Sequence, residues 1–193
     1  LHELVLSATC GLSQLGIKSG DRVAFWRPNT PADLELYQAC MQHNAIAVAV
    51  NTRFRGSEVA DIVKRSGAKS LILWPLFKKV NFLEILSSID GAAFSQIESV
   101  IIYDEAESNV PLKNQLSMSL RSKKLINYQE LIGYSGEEID NSNEDAGCNI
   151  FTTSGTTKDP KFVLHSHRSI SIHAAEVWKN LEPLIKNDAF LDF

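Results

Sequence analysis

Thr152-Thr153-Ser154-Gly155-Thr156-Thr157-Lys158-Asp159-Pro160-Lys161 is the stretch on which the reading of this chain turns. It lies between two short apolar runs, Cys148 to Thr152 and Phe162 to Leu164, each of strand length. The loop crowds Thr and Ser hydroxyls around Gly155, then sets Lys158 and Lys161 on either side of Pro160. By composition such a run is first of all a polar turn. The sharper alternative is an anion cradle. Gly155 lets the backbone approach a ligand closely, successive N–H groups form a nest, the hydroxyls donate without charge, and Lys161 adds a compact cation. That set suits a polyphosphate, the triphosphate of ATP above all. A Walker loop is excluded, because Ile150 stands where the first glycine belongs and Lys158 follows Thr157. A G-x-G-x-x-G fingerprint is absent as well.

Upstream, the chain alternates between helical and strand periodicity. Leu1, Leu4, Val5, Ala8, Leu12 and Leu15 recur at helical spacing, Gly16 fits a left-handed stop, and Ile17 would fold back on Leu12. Arg22 to Trp26 reads as a buried strand. Thr30-Pro31-Ala32-Asp33 opens a second helix, with Thr30 as cap and Asp33 at the capping-box position. Ile46 to Val50 reads as a central parallel strand. A helix with Val59, Ile62 and Val63 inward stops at Gly67. Ser70 to Trp74 and Ser99 to Tyr103 are further strands, with a helix over Asn81 to Ile89 between them. Asp104 to Lys124 reads as a polar loop carrying a short helix, Asn127 to Ile132 as a capped turn or two, and Gly133 to Asp145 as a surface connection. After the loop, Ser166 caps a last helix with Ile170, Ala174, Val177, Trp178 and Leu181 at helical spacing. The pattern predicts an α/β fold with a mostly parallel sheet flanked by helices.

Thr153-Ser154-Gly155-Thr156-Thr157 followed by Pro160-Lys161 resembles the T-S-G-T-T-G-x-P-K-G signature of the adenylate-forming (AMP-binding) superfamily. The flanks are similar to the acyl-CoA synthetase and ligase branch: Asn143-Glu144-Asp145-Ala146 before the loop, and Val163-Leu164-His165-Ser166-His167-Arg168-Ser169 after it. So are Leu15 to Ala24, Arg27-Pro28-Asn29-Thr30-Pro31, Ala47 to Arg53 and Ser66 to Lys69. The resemblance covers nearly the whole chain, with Asp104 to Lys124 the least recognisable part. It departs from the family at two positions, where Lys158 and Phe162 stand in place of glycine. A lysine adopts positive φ less cheaply than glycine, and a phenyl ring blocks close backbone approach.

The resemblance implies an ATP-dependent acid–thiol ligase. A carboxylic acid is activated by ATP with Mg²⁺, and coenzyme A then takes the acyl group. Thr153, Ser154, Gly155, Thr156 and Thr157 are expected to cradle the phosphates, with Lys161 adding electrostatic attraction. The family's later motifs are not found in these 193 residues. They are an aromatic-Gly-x-Thr-Glu stretch, a ribose-holding aspartate and a lysine of a small C-terminal domain. The expectation is therefore that residues 1–193 form an incomplete large N-terminal domain, the front of a longer polypeptide, since the chain opens at Leu1 inside a helical pattern and closes at Asp192-Phe193. No catalytic residue is expected within it, ATP binding is expected to be weak, and turnover is not expected. The alternative is a degenerate, non-catalytic nucleotide- or partner-binding module that has drifted at Lys158 and Phe162.

Composition supplies exclusions. Nineteen Lys and Arg against 23 Asp and Glu give a net charge of −4, with no electrostatic case for nucleic acid. Three dispersed cysteines, Cys10, Cys40 and Cys148, argue against a disulfide framework and a zinc ribbon. No apolar run is long enough to span a bilayer and no signal-peptide pattern is present, so a cytoplasmic location is expected. His165, His167 and His173 have neither zincin nor zinc-finger spacing, so no metal site is expected there. Asp33 and Glu35 lie two apart on a helix and read as solvated surface. Trp26, Trp74 and Trp178 read as core.

Overall fold

Gly16 ends the first helix in the manner its sequence predicts. The computed structural model, which describes residues 1–77, 80–103, 116–136, 139–153 and 160–181, places helix α1 at His2–Gln14. Gly16 has φ +85°, and the Ile17 N–H donates to Leu12 O at 3.1 Å, closing a Schellman turn. Strand β1 (Arg22–Trp26) then enters the centre of the molecule. Helix α2 (Pro31–His43) starts where expected, with Thr30 Oγ1 accepting from the Asp33 N–H at 3.2 Å. Strand β2 (Ile46–Ala49), helix α3 (Gly56–Ser66) and strand β3 (Ser70–Leu73) follow. Gly67 stops α3 at φ +62°, and Arg22 reaches across to donate to Ser66 O and Gly67 O, each at 2.8 Å.

A small hairpin, β4 (Leu76–Phe77) with β5 (Val80–Asn81), leads into α4 (Phe82–Ser87), a 3₁₀ turn (Gly91–Phe94) and β6 (Ser99–Ile102). Then come α5 (Met118–Arg121), β7 (Lys124–Asn127), α6 (Tyr128–Leu131), β8 (Gly147–Thr153), β9 (Lys161–Ser166) and α7 (His167–Leu181). Among the described residues the main sheet has the order β7-β6-β3-β1-β2-β8-β9. Every neighbouring pair is parallel except β8 with β9, an antiparallel hairpin at the edge.

The strands alternate between two cores, as a period of two requires. Val23 and Phe25 face α1, α2 and α6, joined by Leu12, Leu36, Ala39 and Leu131. Ala24 and Trp26 face α3 and α4, joined by Val59, Ile62, Phe82 and Leu86. Trp26 meets Phe82 edge to face at 4.8 Å between ring centroids. The α/β fold with a mostly parallel sheet is thus as the sequence predicts.

Three readings are corrected. Lys124–Asn127, read as the end of a loop and the start of a turn, is strand β7; it is a four-residue edge strand with Ile126 as its buried residue, too short to carry alternation. Glu35 is buried, not solvated, because its position on α2 faces α6, where the Tyr128 hydroxyl donates to Glu35 Oε2. Trp178 is 54% exposed, and α7 has no buried residue; its apolar stripe, including Val177 and Trp178, has no layer over it among the described residues. The reading of Asp104 to Lys124 falls for the most part on residues 104–115, outside the described residues.

Two stability measurements check this packing. A Cβ added at Gly11 would sit 2.5 Å from the Leu131 backbone oxygen and 2.7 Å from its side chain. Ala gains roughly 1 kcal/mol in helix propensity over Gly, but the overpacking of α1 against α6 costs about 1–3 kcal/mol. Gly11→Ala is therefore expected to lower the urea midpoint, and a raised midpoint would contradict the contact. Burial pushes the Glu35 carboxyl up from its ordinary value of 4.5. Its contribution is complete below that ordinary value and is lost as pH rises through the raised one. The stability of the natural chain relative to Glu35→Gln is thus expected to fall as pH is raised from about 4 to about 7; a pH-independent difference between the two would refute the assignment.

Candidate functional site

The sheet's wiring leaves a crevice. The chain leaves β1 for α2 on one face, returns to β2, and leaves again for α3 on the opposite face before crossing β1 to reach β3. Loops that depart to opposite faces from adjacent parallel strands open a gap at their carboxyl ends, the general ligand position in open α/β sheets. Two adjoining clefts lie there, of about 520 Å³ and about 300 Å³, sharing Phe25, Asn29, Asp33, Ala49 and Phe151. The larger extends to Tyr37 and Asn149, the smaller to Arg27, Asn51 and Thr152.

The β8–β9 hairpin supplies one wall. Its register pairs Asn149 with His165, Phe151 with Val163 and Thr153 with Lys161. Directly paired residues share a face, and every second residue along a strand does too. Asn149 and Phe151 line the cleft, so Thr153 and Lys161 stand on the cleft face as well, both exposed. The alternate residues, Ile150 and Phe162, pack against the α3 core instead. The ring of Phe162 is therefore directed away from the cleft. Ser154, Gly155, Thr156 and Thr157 lie outside the described residues, as does Lys158. Of the predicted site, Thr153 and Lys161 are brought opposite each other at the mouth of the hairpin.

The cleft's polar groups were largely unread in the sequence. Arg27 has a fully buried side chain; its Nε lies 3.1 Å from Asp33 Oδ1, it donates to Thr30 Oγ1, and its guanidinium sits 4.5 Å from the Tyr103 ring centroid. Burial pushes the Asp33 carboxyl up, opposed by the Arg27 charge. Asp33 thus faces Arg27 and the cleft, whereas spacing alone placed it on the surface. Asn149 Nδ2 donates to the Tyr37 hydroxyl at 3.0 Å, and burial pushes the Tyr37 phenol up. The usable signal was the position of Arg27-Pro28-Asn29-Thr30 directly after a central strand, at the sheet's carboxyl edge.

Chemically the arrangement is a trough walled by Phe25 and Phe151, with amide, hydroxyl and carboxyl groups along it and a lysine at its rim. It fits an elongated ligand with an anionic end. A hydroxyl at Thr153 and an ammonium at Lys161, facing each other across one register position, fit the flank of a phosphate group. Among the described residues no group of three or more His, Cys, Asp or Glu is placed to hold a metal ion. His165 meets the Phe151 ring at 5.5 Å, and His167 opens α7 where the Ser166 hydroxyl caps it. The Arg168 guanidinium pairs with Glu144 and Asp145 and holds the Asp145 carboxyl below its ordinary value, tying α7 to the segment before β8. No helix among the described residues is long and apolar enough to cross a membrane.

Known proteins share this framework. The acetyl-coenzyme A synthetase of Pseudoalteromonas translucida is 27% identical over 195 residues, covering 98% of this chain and 29% of that protein. The mitochondrial medium-chain acyl-CoA ligase ACSF2 of Macaca fascicularis is 30% identical over 186 residues, covering 88% and 28%. Among solved structures, acetoacetyl-CoA synthetase from Streptomyces lividans superposes with a TM-score of 0.74 at 18% identity, over 89% of this chain and 25% of that one. The anthranilate CoA ligase AuaEII, solved with anthranoyl-AMP, gives 0.71 at 20% identity, over 90% and 30%. This chain spans under a third of the length of the curated relatives cited. The model of the family described as AMP-binding enzyme matches residues 1–192; the chain belongs to that family.

Proposed function

We propose that these residues form the phosphate-binding front of an ATP-dependent acid–thiol ligase, which activates a small carboxylic acid and passes its acyl group to coenzyme A. The reading rests on one observation: the signature's two described ends, Thr153 and Lys161, stand together on the cleft face of the hairpin, beside the switch-point crevice. The relatives' names, acetyl-coenzyme A synthetase and medium-chain acyl-CoA ligase, support the reaction class. In the first step a carboxylate oxygen bonds to the α-phosphorus of ATP, the bond to the β-phosphate oxygen breaks, and pyrophosphate leaves with that electron pair. Negative charge grows on the leaving group, so fixed donors and cations must meet it. Thr153 to Thr157 would supply the donors and Lys161 the charge, while Mg²⁺ would neutralise phosphate oxygens. The thiol of coenzyme A then displaces AMP.

Residues 1–193 would form part of a large N-terminal domain that works within a longer polypeptide. Support for this is the share of the relatives that is covered, together with the absence from this sequence of the family's adenine, ribose and C-terminal lysine motifs. The chain alone should bind ATP weakly and turn over nothing. The second reading is a drifted, non-catalytic binding module, with Lys158 and Phe162 standing where the family has glycine.

The test is ATP–pyrophosphate exchange by the longer polypeptide over a panel of carboxylic acids. Exchange should depend on one class of acid and fall about a hundredfold in Lys161→Ala, the order of loss seen when one preorganised transition-state partner is removed. Folded protein that exchanges with no acid would favour the binding module instead.

A further inference from the structure

Arg65 is the last-turn arginine of α3, and among the described residues its guanidinium serves Asp61, Pro160 and Phe162 at once. Nε lies 2.8 and 2.9 Å from the two Asp61 carboxylate oxygens, and Nη2 lies 2.6 Å from Asp61 Oδ2. The same Nη2 donates to the Pro160 carbonyl at 2.7 Å. The Phe162 ring centroid is 4.3 Å from Cζ. Pro160 and Phe162 are the two neighbours of Lys161. We propose that Arg65 is a positioning residue for Lys161: from the α3 face of the hairpin it holds the Pro160 carbonyl on one side of that lysine and the Phe162 ring on the other, and so fixes where the ammonium emerges on the cleft face.

The physical reasons are geometric. A planar guanidinium can hold a carboxylate edge-on, donate to a carbonyl and lie on an aromatic ring together, which an ammonium cannot. Asp61, four residues earlier on the same helix, orients the fork. Lys161 is the first residue of β9, where it pairs with Thr153 at the last ladder position among the described residues. Strand ends hold their register less firmly than strand middles, and the clamp restrains this one from the α3 side. It uses the phenyl ring that stands where the resemblance places glycine, so the departure at Phe162 creates a second anchor for the same backbone. The inference that this placement serves phosphate binding rests on the proposed function; the clamp itself does not.

The experiment has two arms on the 193-residue chain. In the first, without ligand, the rate of tryptic cleavage at Lys161–Phe162 is compared in the natural chain, Arg65→Ala, Arg65→Lys and Phe162→Leu. Cleavage of a briefly opened segment tracks its open population. About tenfold faster cleavage is expected in Arg65→Ala, with a smaller rise in Arg65→Lys and Phe162→Leu and an unchanged thermal midpoint. Equal rates in all four chains would overturn the clamp. In the second arm, affinity for inorganic pyrophosphate is measured in a double-mutant cycle of Arg65→Ala with Lys161→Ala. A residue acting through Lys161 should weaken binding about tenfold in the natural background and have no effect once Lys161 is gone, whereas additive losses would overturn the positioning role. A natural chain that binds no pyrophosphate counts against the proposed function; the cleavage arm still decides the clamp.

Discussion

The parallel pairing of β1 with both β2 and β3 is the constraint from which the rest of the molecule follows. Two parallel neighbours around one strand oblige the chain to cross β1, and the helices it lays down in crossing must go to opposite faces. That single obligation produces two cores, one over α2 and one over α3, and opens the crevice between their departing loops. It also explains why Arg27 can be buried: it leaves β1 where the α2 loop turns away, so Asp33 and the Tyr103 ring can enclose its charge. Without such partners a buried cation would be prohibitively costly.

The hairpin of β8 and β9 divides its labour by parity. Among the described residues, Asn149, Phe151 and Thr153 with their partners His165, Val163 and Lys161 share the cleft face; Ile150 and Phe162 address the α3 core. A strand pair with one face in a core and the other on a ligand trough can hold a loop firmly while presenting chemistry on the free side. The apolar contacts on one face fix the register, because a one-residue slip would put Phe162 into the cleft and Lys161 into the core.

Much of this was legible in the residues. Gly16 and Gly67 announced their helix ends, Thr30 its cap, and the runs of Val, Ile and Ala their strands, because each of these signals is local. The phosphate signature was legible as a motif, and its outermost residues do meet. What the sequence concealed were relations across the chain. Glu35 and Tyr128 are 93 positions apart, and Arg65 and Pro160 are 95 apart. No spacing rule reaches so far. β7 escaped because four residues on an edge, one of them buried, carry no periodicity. Trp178 misled because a helical apolar stripe reports a face that wants covering, without saying what covers it.

The ladder that joins the hairpin to the sheet is short. Among the described residues β2 meets β8 at Ala47–Asn149 and Val48–Ile150, whereas β1 meets β2, and β3 meets β6, over four consecutive positions each. Closing that contact also spans about a hundred residues of chain, an entropic cost that the local pairs between β8 and β9 do not incur. The strands of the hairpin can therefore pair with each other at a smaller closure cost than their docking on β2 carries. Thr153 and Lys161 thus face each other across the main-sheet pairs that are cheapest to close, while the seam that docks them on β2 joins the most distant stretches of chain among the described strand pairs.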